Sequence, residues 1–358
     1  MLTIRLMIPD PAVAQTPAKA TIPTAAAFWN TSGTYVGTAV CGGCHPAQAA
    51  SFHQNSMSRA LETIDRCEIL KGDIHFTFRD GVYRYSISRA AGKVIYEVSD
   101  GKDQFSAPLQ YAFGQGKAGQ TYVFSANGKY YESRISYYAK LKALDLTVGA
   151  INSRPVDLLS AAGRVMEGSE PRTCFGCHTT GARVGTTLQL NEFQEGVQCE
   201  SCHGPGAAHV EAVRAGKSDA SLIRSLKGMD PQQSNEFCGS CHRTWETVMM
   251  MKIKGINTAR FPSYRITGSP CFSLDDRRIS CTACHDPHGA LVSDDRFYDS
   301  KCTACHNRAN ASLKKKTCPV GTQACTSCHM QRVEPVESHH AFPDHWFRVV
   351  KSATDYPE

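Results

Sequence analysis

The chain has 358 residues, with 39 Lys and Arg against 33 Asp and Glu, a formal net charge of +6. That length would ordinarily suggest two domains. No run of 18 apolar residues occurs, which excludes a membrane-spanning helix, and no basic–aromatic interleaving points to nucleic acid.

In chain order, residues 1–34 are rich in Pro, Ala and Thr and read as leader plus linker. Ala12-Val13-Ala14-Gln15 looks like a small-residue signal-peptidase site, although the apolar region before it is short and carries Arg5 and Asp10. A damaged signal peptide is the reading. Residues 35–66 hold a Cys-Gly-Gly-Cys-His unit, Cys41–His45.

Residues 67–150 read as a small antiparallel β module inserted behind it. Ile74, Phe76 and Phe78 alternate up to Asp80-Gly81; Tyr83, Tyr85 and Ile87 alternate after it, then Val94, Tyr96 and Val98. Asn127-Gly128 marks a second hairpin between Tyr122–Phe124 and Tyr130–Tyr131. Gly114-Gln-Gly116-Lys-Ala-Gly119 matches a dinucleotide fingerprint, but strand-like residues follow where a helix should open, so it reads as a flexible β loop. Residues 154–170 carry apolar side chains near a 3.6 period and read as a helix, with a second short helix over His209–Ala215.

Residues 151–348 repeat the first unit six more times: Cys174–His178, Cys199–His203, Cys238–His242, Cys281–His285, Cys302–His306 and Cys325–His329. Residues 349–358 form a tail. Scattering 17 Cys and 14 His at random would give about 0.03 copies of Cys-x-x-Cys-His, so chance does not compete. The pattern is the attachment signature of c-type haem. Two thiols (Cys41 and Cys44, Cys174 and Cys177, Cys199 and Cys202, Cys238 and Cys241, Cys281 and Cys284, Cys302 and Cys305, Cys325 and Cys328) form thioethers. The following histidine (His45, His178, His203, His242, His285, His306, His329) ligates the iron. Zinc knuckles pair into four-ligand shells and do not need that histidine, whereas every copy here has it.

Seven covalently bound haems would supply much of the core, because so little peptide per cofactor is marginal on its own. The fold class expected is therefore a mostly irregular and α-helical multihaem cytochrome fold with short helices and the inserted β module. Each ferric haem would add about +1 at the iron core and about −2 from ionised propionates, about −7 for seven, bringing the loaded protein to about −1. The basic balance is then counter-charge for the cofactors. Cys67, Cys271 and Cys318 remain outside the motifs, as buried thiols or one disulfide.

The second axial ligand separates carrier from enzyme. A second His or a Met fills the iron's sixth position, and a vacancy admits substrate. Seven histidines lie outside the motifs. His75 reads as a strand residue. His209 and His288 sit too close to their own motif histidines to share an iron with them, and are better placed to reach a neighbouring haem. Of His339, His340 and His345, the first and last are the preferred ligands.

The stretches Gly196–His209, Cys281–His288, Cys325–Met330 and His339–Trp346 resemble the multihaem c-type cytochromes related to the tetrahaem electron carrier of nitrifying bacteria. The resemblance implies mainly bis-histidine haems in parallel and perpendicular pairs, an extracytoplasmic (periplasmic or extracellular) location, and electron transfer. It also implies a His or Met about a dozen residues after the first motif; here that position is Met57, favoured over His53. The function expected is electron transfer along closely spaced haems, with other cytochromes or quinol-linked complexes as redox partners and self-association through terminal haems. Two alternatives stay open. One is a multihaem oxidoreductase acting on nitrogen or sulfur oxyanions at an open haem. The other is a subunit of a haem-stacked conductive filament.

Overall fold

The computed structural model describes residues 33–217, 222–306, 318–350 and 356; nearly all of the expected leader lies outside them. The chain enters through two short helices, Thr38–Cys44 and Pro46–Phe52, which carry the first motif. It then builds one sheet from nine strands: β1 (Leu61–Thr63), β2 (His75–Asp80), β3 (Tyr83–Ala90), β4 (Lys93–Ser99), β5 (Gln104–Phe113), β6 (Gln120–Ala126), β7 (Lys129–Tyr138), β8 (Ala143–Leu146) and β9 (Gly163–Val165). Neighbours run β2-β3-β4-β5-β6-β7-β8, with β1 on β5 and β9 on β7. Every pairing is antiparallel.

Period-two alternation builds the interior. Tyr85 and Ile87 on β3, and Val94, Tyr96 and Val98 on β4, point inward and are buried, while their neighbours face out. The sheet curls until β2 approaches β7. Phe76 and Tyr137 lie with ring centres 5.3 Å apart, and Arg134 Nη2 donates to Asp80 Oδ2 at 3.0 Å. This nearly closed sheet is much larger than the small inserted module expected. The shortfall has a physical cause: β1 and β9 have three residues each, too few to display an alternation.

Three local expectations change. The first hairpin turn is Gly81-Val82, since Asp80 pairs with Tyr83. Asp80 keeps its strand position and takes the Arg134 ion pair. Asn127-Gly128 turns where expected, with φ of 51° and 71°. Residues 154–170 are not one helix. Before the helix that starts at Glu170, only Leu158–Ala162 is helical, opened by Asp157, whose carboxylate accepts from Ser160 N–H at 2.7 Å. Gly163 then leaves the helix to form β9. A Cβ there would lie 2.2 Å from the Glu132 carbonyl, so only glycine lets this strand join β7.

The Gly114–Gly119 loop joins β5 to β6 and is tied rather than flexible. Gly114 has φ +85°, a Cβ on it would lie 2.6 Å from the Gly119 carbonyl, and its N–H donates to Ala60 O at 2.8 Å. The remaining chain is a run of short helices and loops. The helix expected at His209–Ala215 is Ala207–Arg214. Among the described residues, no helix is long and apolar enough to cross a membrane.

Candidate haem-binding array

Most of the motifs sit on one turn of helix. Cys174–His178 ends the helix Glu170–His178, Cys199–His203 and Cys325–His329 are helices of their own, and Cys238–His242 ends Pro231–His242. One helical turn places residues i, i+3 and i+4 on one face, so both thiols and the imidazole address the same side. All 17 cysteines are free thiols. Cys67 is buried in the sheet core and donates to Gln120 Oε1 at 3.2 Å; Cys318 is exposed.

Thiols of different motifs meet. Cys177 lies against Cys241, Cys238 against Cys281, Cys41 against Cys199, and Cys302 against Cys325. Polar groups fix these meetings. The Glu200 side chain, inside the third motif and 2% exposed with its residue, accepts from Val36 N–H (2.9 Å), Gly37 N–H (2.8 Å), Gly206 N–H (2.8 Å) and Gln194 Nε2 (3.1 Å). It thereby ties the first motif's helix to the third motif. Asp299 accepts from Ala324 and Cys325 N–H at 2.7 and 2.8 Å, tying the sixth motif to the seventh.

Several imidazoles are oriented by a backbone carbonyl at Nδ1: His178 by Ala60 O (2.9 Å), His203 by Arg224 O (2.9 Å) and His345 by Pro343 O (3.1 Å). An Nδ1–H donor to a carbonyl leaves Nε2 as the bare ligand atom, the arrangement metal-binding histidines use. Burial holds His178 and His285 below the usual imidazole range and brings His345 down to about 4, so the rings stay neutral with their lone pairs available.

Two pairs of rings oppose each other. His203 and His288 have centres 6.1 Å apart with planes within 2°; His285 and His345 are 6.1 Å apart at 40°. Face-to-face contact would need about 3.5 Å, whereas two imidazoles holding one metal from opposite sides, at about 2 Å per bond, put their centres about 6 Å apart. Parallel-displaced stacking spans the same centroid range. The 40° tilt of the second pair is no stack, however, and His203 and His345 both turn Nδ1 away to a carbonyl. The donor set thus fits a haem held by two thioethers and two imidazoles.

The other expected ligands differ in setting. His209 Nδ1 is buried without a hydrogen-bond partner. Met57 is half-buried in the turn Ser56–Arg59, while His53 and His75 are exposed. His339 uses Nε2 on Asp145 Oδ2 at 2.8 Å and lies edge-on to Tyr138, so the nitrogen that usually ligates is engaged with β8. His340 packs edge-on to Phe342 at 4.7 Å.

Sequence patterns did not reveal the residues that set these histidines. Asn55, 6% exposed, donates through Nδ2 to Pro287 O (3.0 Å) and Gly289 O (2.8 Å), on either side of His288, and accepts from Met57 N–H. Replacing Asn55 with Ala is expected to leave the two carbonyls unanswered. The cost is about 1–3 kcal/mol in chemical denaturation, with a broadened ferric EPR signal for the His203–His288 pair. Phe175, inside the second motif and fully buried, meets Tyr111 and Phe113 edge-on at 4.9 and 5.1 Å; Phe113 also abuts His178 at 5.1 Å. The sheet is therefore a wall of the second motif.

Comparison with known proteins bears on the repeated motif and the fold. The family described as cytochrome c554 and c-prime matches residues 152–204, which include the second and third motifs. The multiheme cytochrome MtrA of Shewanella baltica (strain OS185) is 24% identical over 190 residues, covering 47% of this chain and 55% of MtrA. The chain thus spans about half the length of the curated relative it matches. The crystal structure of the outer cell wall cytochrome OcwA superposes with a TM-score of 0.53 at 16% identity, over 88% of this chain and 80% of that one, a likeness of fold. These likenesses and the repeated motif support a multihaem c-type cytochrome with covalently bound c-type haems.

Proposed function

We propose that this chain is a heptahaem c-type cytochrome that relays electrons among closely spaced haems outside the cytoplasm, between redox partner proteins such as other cytochromes or quinol-linked complexes. The carrying observation is the pair of opposed imidazoles at 6.1 Å, one of each pair belonging to a motif. Bound haem supplies reversible one-electron chemistry. The chain's residues do the rest. The fourteen motif cysteines anchor, and the motif histidines His45, His178, His203, His242, His285, His306 and His329 ligate from one side.

On the other side, His288 serves the third motif and His345 the fifth. His209, with its unpartnered nitrogen, and Met57 are ligands for further motifs. His339 ligates only if its ring leaves Asp145 or turns Nδ1 to the metal. The relation to the tetrahaem carrier of nitrifying bacteria belongs to the same reading. An oxidoreductase acting on nitrogen or sulfur oxyanions would need a vacant sixth position.

Ferric EPR with ferric and ferrous absorption on the loaded protein separates the two. The proposal expects low-spin haems throughout, unchanged by nitrite or hydroxylamine. A high-spin haem that binds and turns over either compound would replace electron relay with the oxidoreductase.

A further inference from the structure

The order of the motifs in sequence suggests a simple line, one haem handing to the next. The contacts around the fourth motif do not. Its helix, Pro231–His242, is met by cysteines of the second and fifth motifs and by Arg224, which also binds the third. Near its C-terminal end, Ser240 O accepts from Cys177 Sγ of the second motif at 3.9 Å, and Cys241 lies against the same thiol. Near its start, Ser234 receives Cys281 of the fifth motif twice, with N–H to Oγ at 3.4 Å and Sγ to the carbonyl at 3.9 Å; Cys238 meets the Cys281 thiol as well. Between these, the Arg224 guanidinium lies 6.0 Å over the Phe237 ring. Arg224 also belongs to the third motif: its Nη1 donates to Cys202 O at 3.3 Å and its carbonyl orients His203.

The third and fifth motifs are also joined directly by the His203–His288 pair. The second motif meets the fourth through Ser240 and Cys241, and it meets the third through Thr180, two residues past His178, whose Oγ1 lies 2.5 Å from Ser201 Oγ; Phe113, Tyr111 and β1 of the sheet close its other flank. Sequence order separates the second motif from the fourth by the whole of the third, yet the fold sets them thiol to thiol.

We infer that the helix Pro231–His242 makes a three-way junction in the electron path, at which the second motif meets the fourth directly, alongside the third and fifth. This rests on the electron-relay reading above. Each transfer oxidises one site as it reduces its neighbour; no bond is made or broken and no outside reagent is needed.

The test perturbs the junction and counts the sites that respond. His242→Met should raise the potential of the fourth haem while keeping its thioethers, since Met ligation raises potential relative to His. Redox titration followed by EPR and NMR should then show three other haems shifting through their interaction with it. The same substitution in a Cys174→Ala, Cys177→Ala background, which lacks the second haem, should show two. Two responders in both backgrounds would overturn the junction and restore a line. Mass spectrometry of each variant keeps the outcomes apart. Seven and six haems attached validate the comparison, whereas no attached haem in the unaltered protein would reject electron relay itself. Should the double-cysteine variant fail to fold, Phe175→Leu, which keeps both thiols but disturbs the second motif, should shift the potential of one responder and leave the other two in place; an unchanged set of three would equally count against the second motif's place at the junction.

Discussion

Replacing Asp344 with Ala is expected to destabilise the protein by about 3–5 kcal/mol and to remove one low-spin haem signal, because the change strands a buried charge. Arg265 and Asp344 are both wholly inside, with Nε to Oδ1 at 2.8 Å and Nη2 to Oδ2 at 2.9 Å. The Trp346 N–H and Arg348 Nη1 complete the carboxylate's partners at 3.0 and 2.5 Å. Burial works against the Asp344 charge, but Arg265, Trp346 and Arg348 outweigh it and hold the carboxyl below its usual range. The Arg265 guanidinium also lies 4.7 Å over both Trp346 and Tyr356.

This lock sits beside His345, whose carbonyl accepts from Ser269 Oγ at 2.7 Å. Loosening it frees the imidazole facing His285. A double replacement, Arg265→Leu with Asp344→Leu, should recover much of the stability, since an apolar pair costs no desolvation. Unfolding midpoints and ferric EPR on the three variants check this. If Asp344→Ala leaves both readings where they were, the lock does not hold His345.

The second large effect is expected at Glu200. Glu200→Ala removes a carboxylate that answers three backbone N–H groups and one amide, one of them buried and the others half-buried. Each donor left unanswered costs about 1–3 kcal/mol, so a total on the order of 4 kcal/mol is expected. Glu200→Gln should do little better, because its NH₂ group would face donors. The loss falls on the joint between the first and third motifs, where Thr38 Oγ1 also donates to Gln198 Oε1 at 3.0 Å. Denaturant unfolding should show the destabilisation. Limited proteolysis should cut first near residues 34–40, while the Asn55 clamp on the His288 loop stays protected. Unchanged resistance at the N-terminal helices would show that Glu200 is not their anchor.

Motif chemistry was legible because it is local. One helical turn carries both thiols and the imidazole, and no tertiary fact is needed to read it. The longer strands were legible for the same reason, β3 and β4 through their alternating Tyr, Ile and Val. What failed to show was whatever depends on a distant partner. Residues 154–170 carry a helical period, yet Gly163 is claimed by β7, and the backbone contact at Glu132 decides the outcome. The sheet's true extent hides in two three-residue strands.

The facing histidines were only half visible. His288 and His345 could be singled out as spare histidines near motifs, but their opposition to His203 and His285 comes from Asn55, Asp344 and Arg265, none of which carries a motif. His339 shows the reverse: its place in the histidine-rich C-terminal stretch made it attractive, and Asp145, far back on β8, takes its Nε2.

The most direct measurement is the intact mass and iron content of the protein purified from a host able to mature c-type cytochromes. The account predicts a red protein heavier than its peptide by seven haems, each resisting extraction by acid and organic solvent as a thioether-bound group does. A colourless product at the bare peptide mass, with its motif thiols free to titrate, would contradict it.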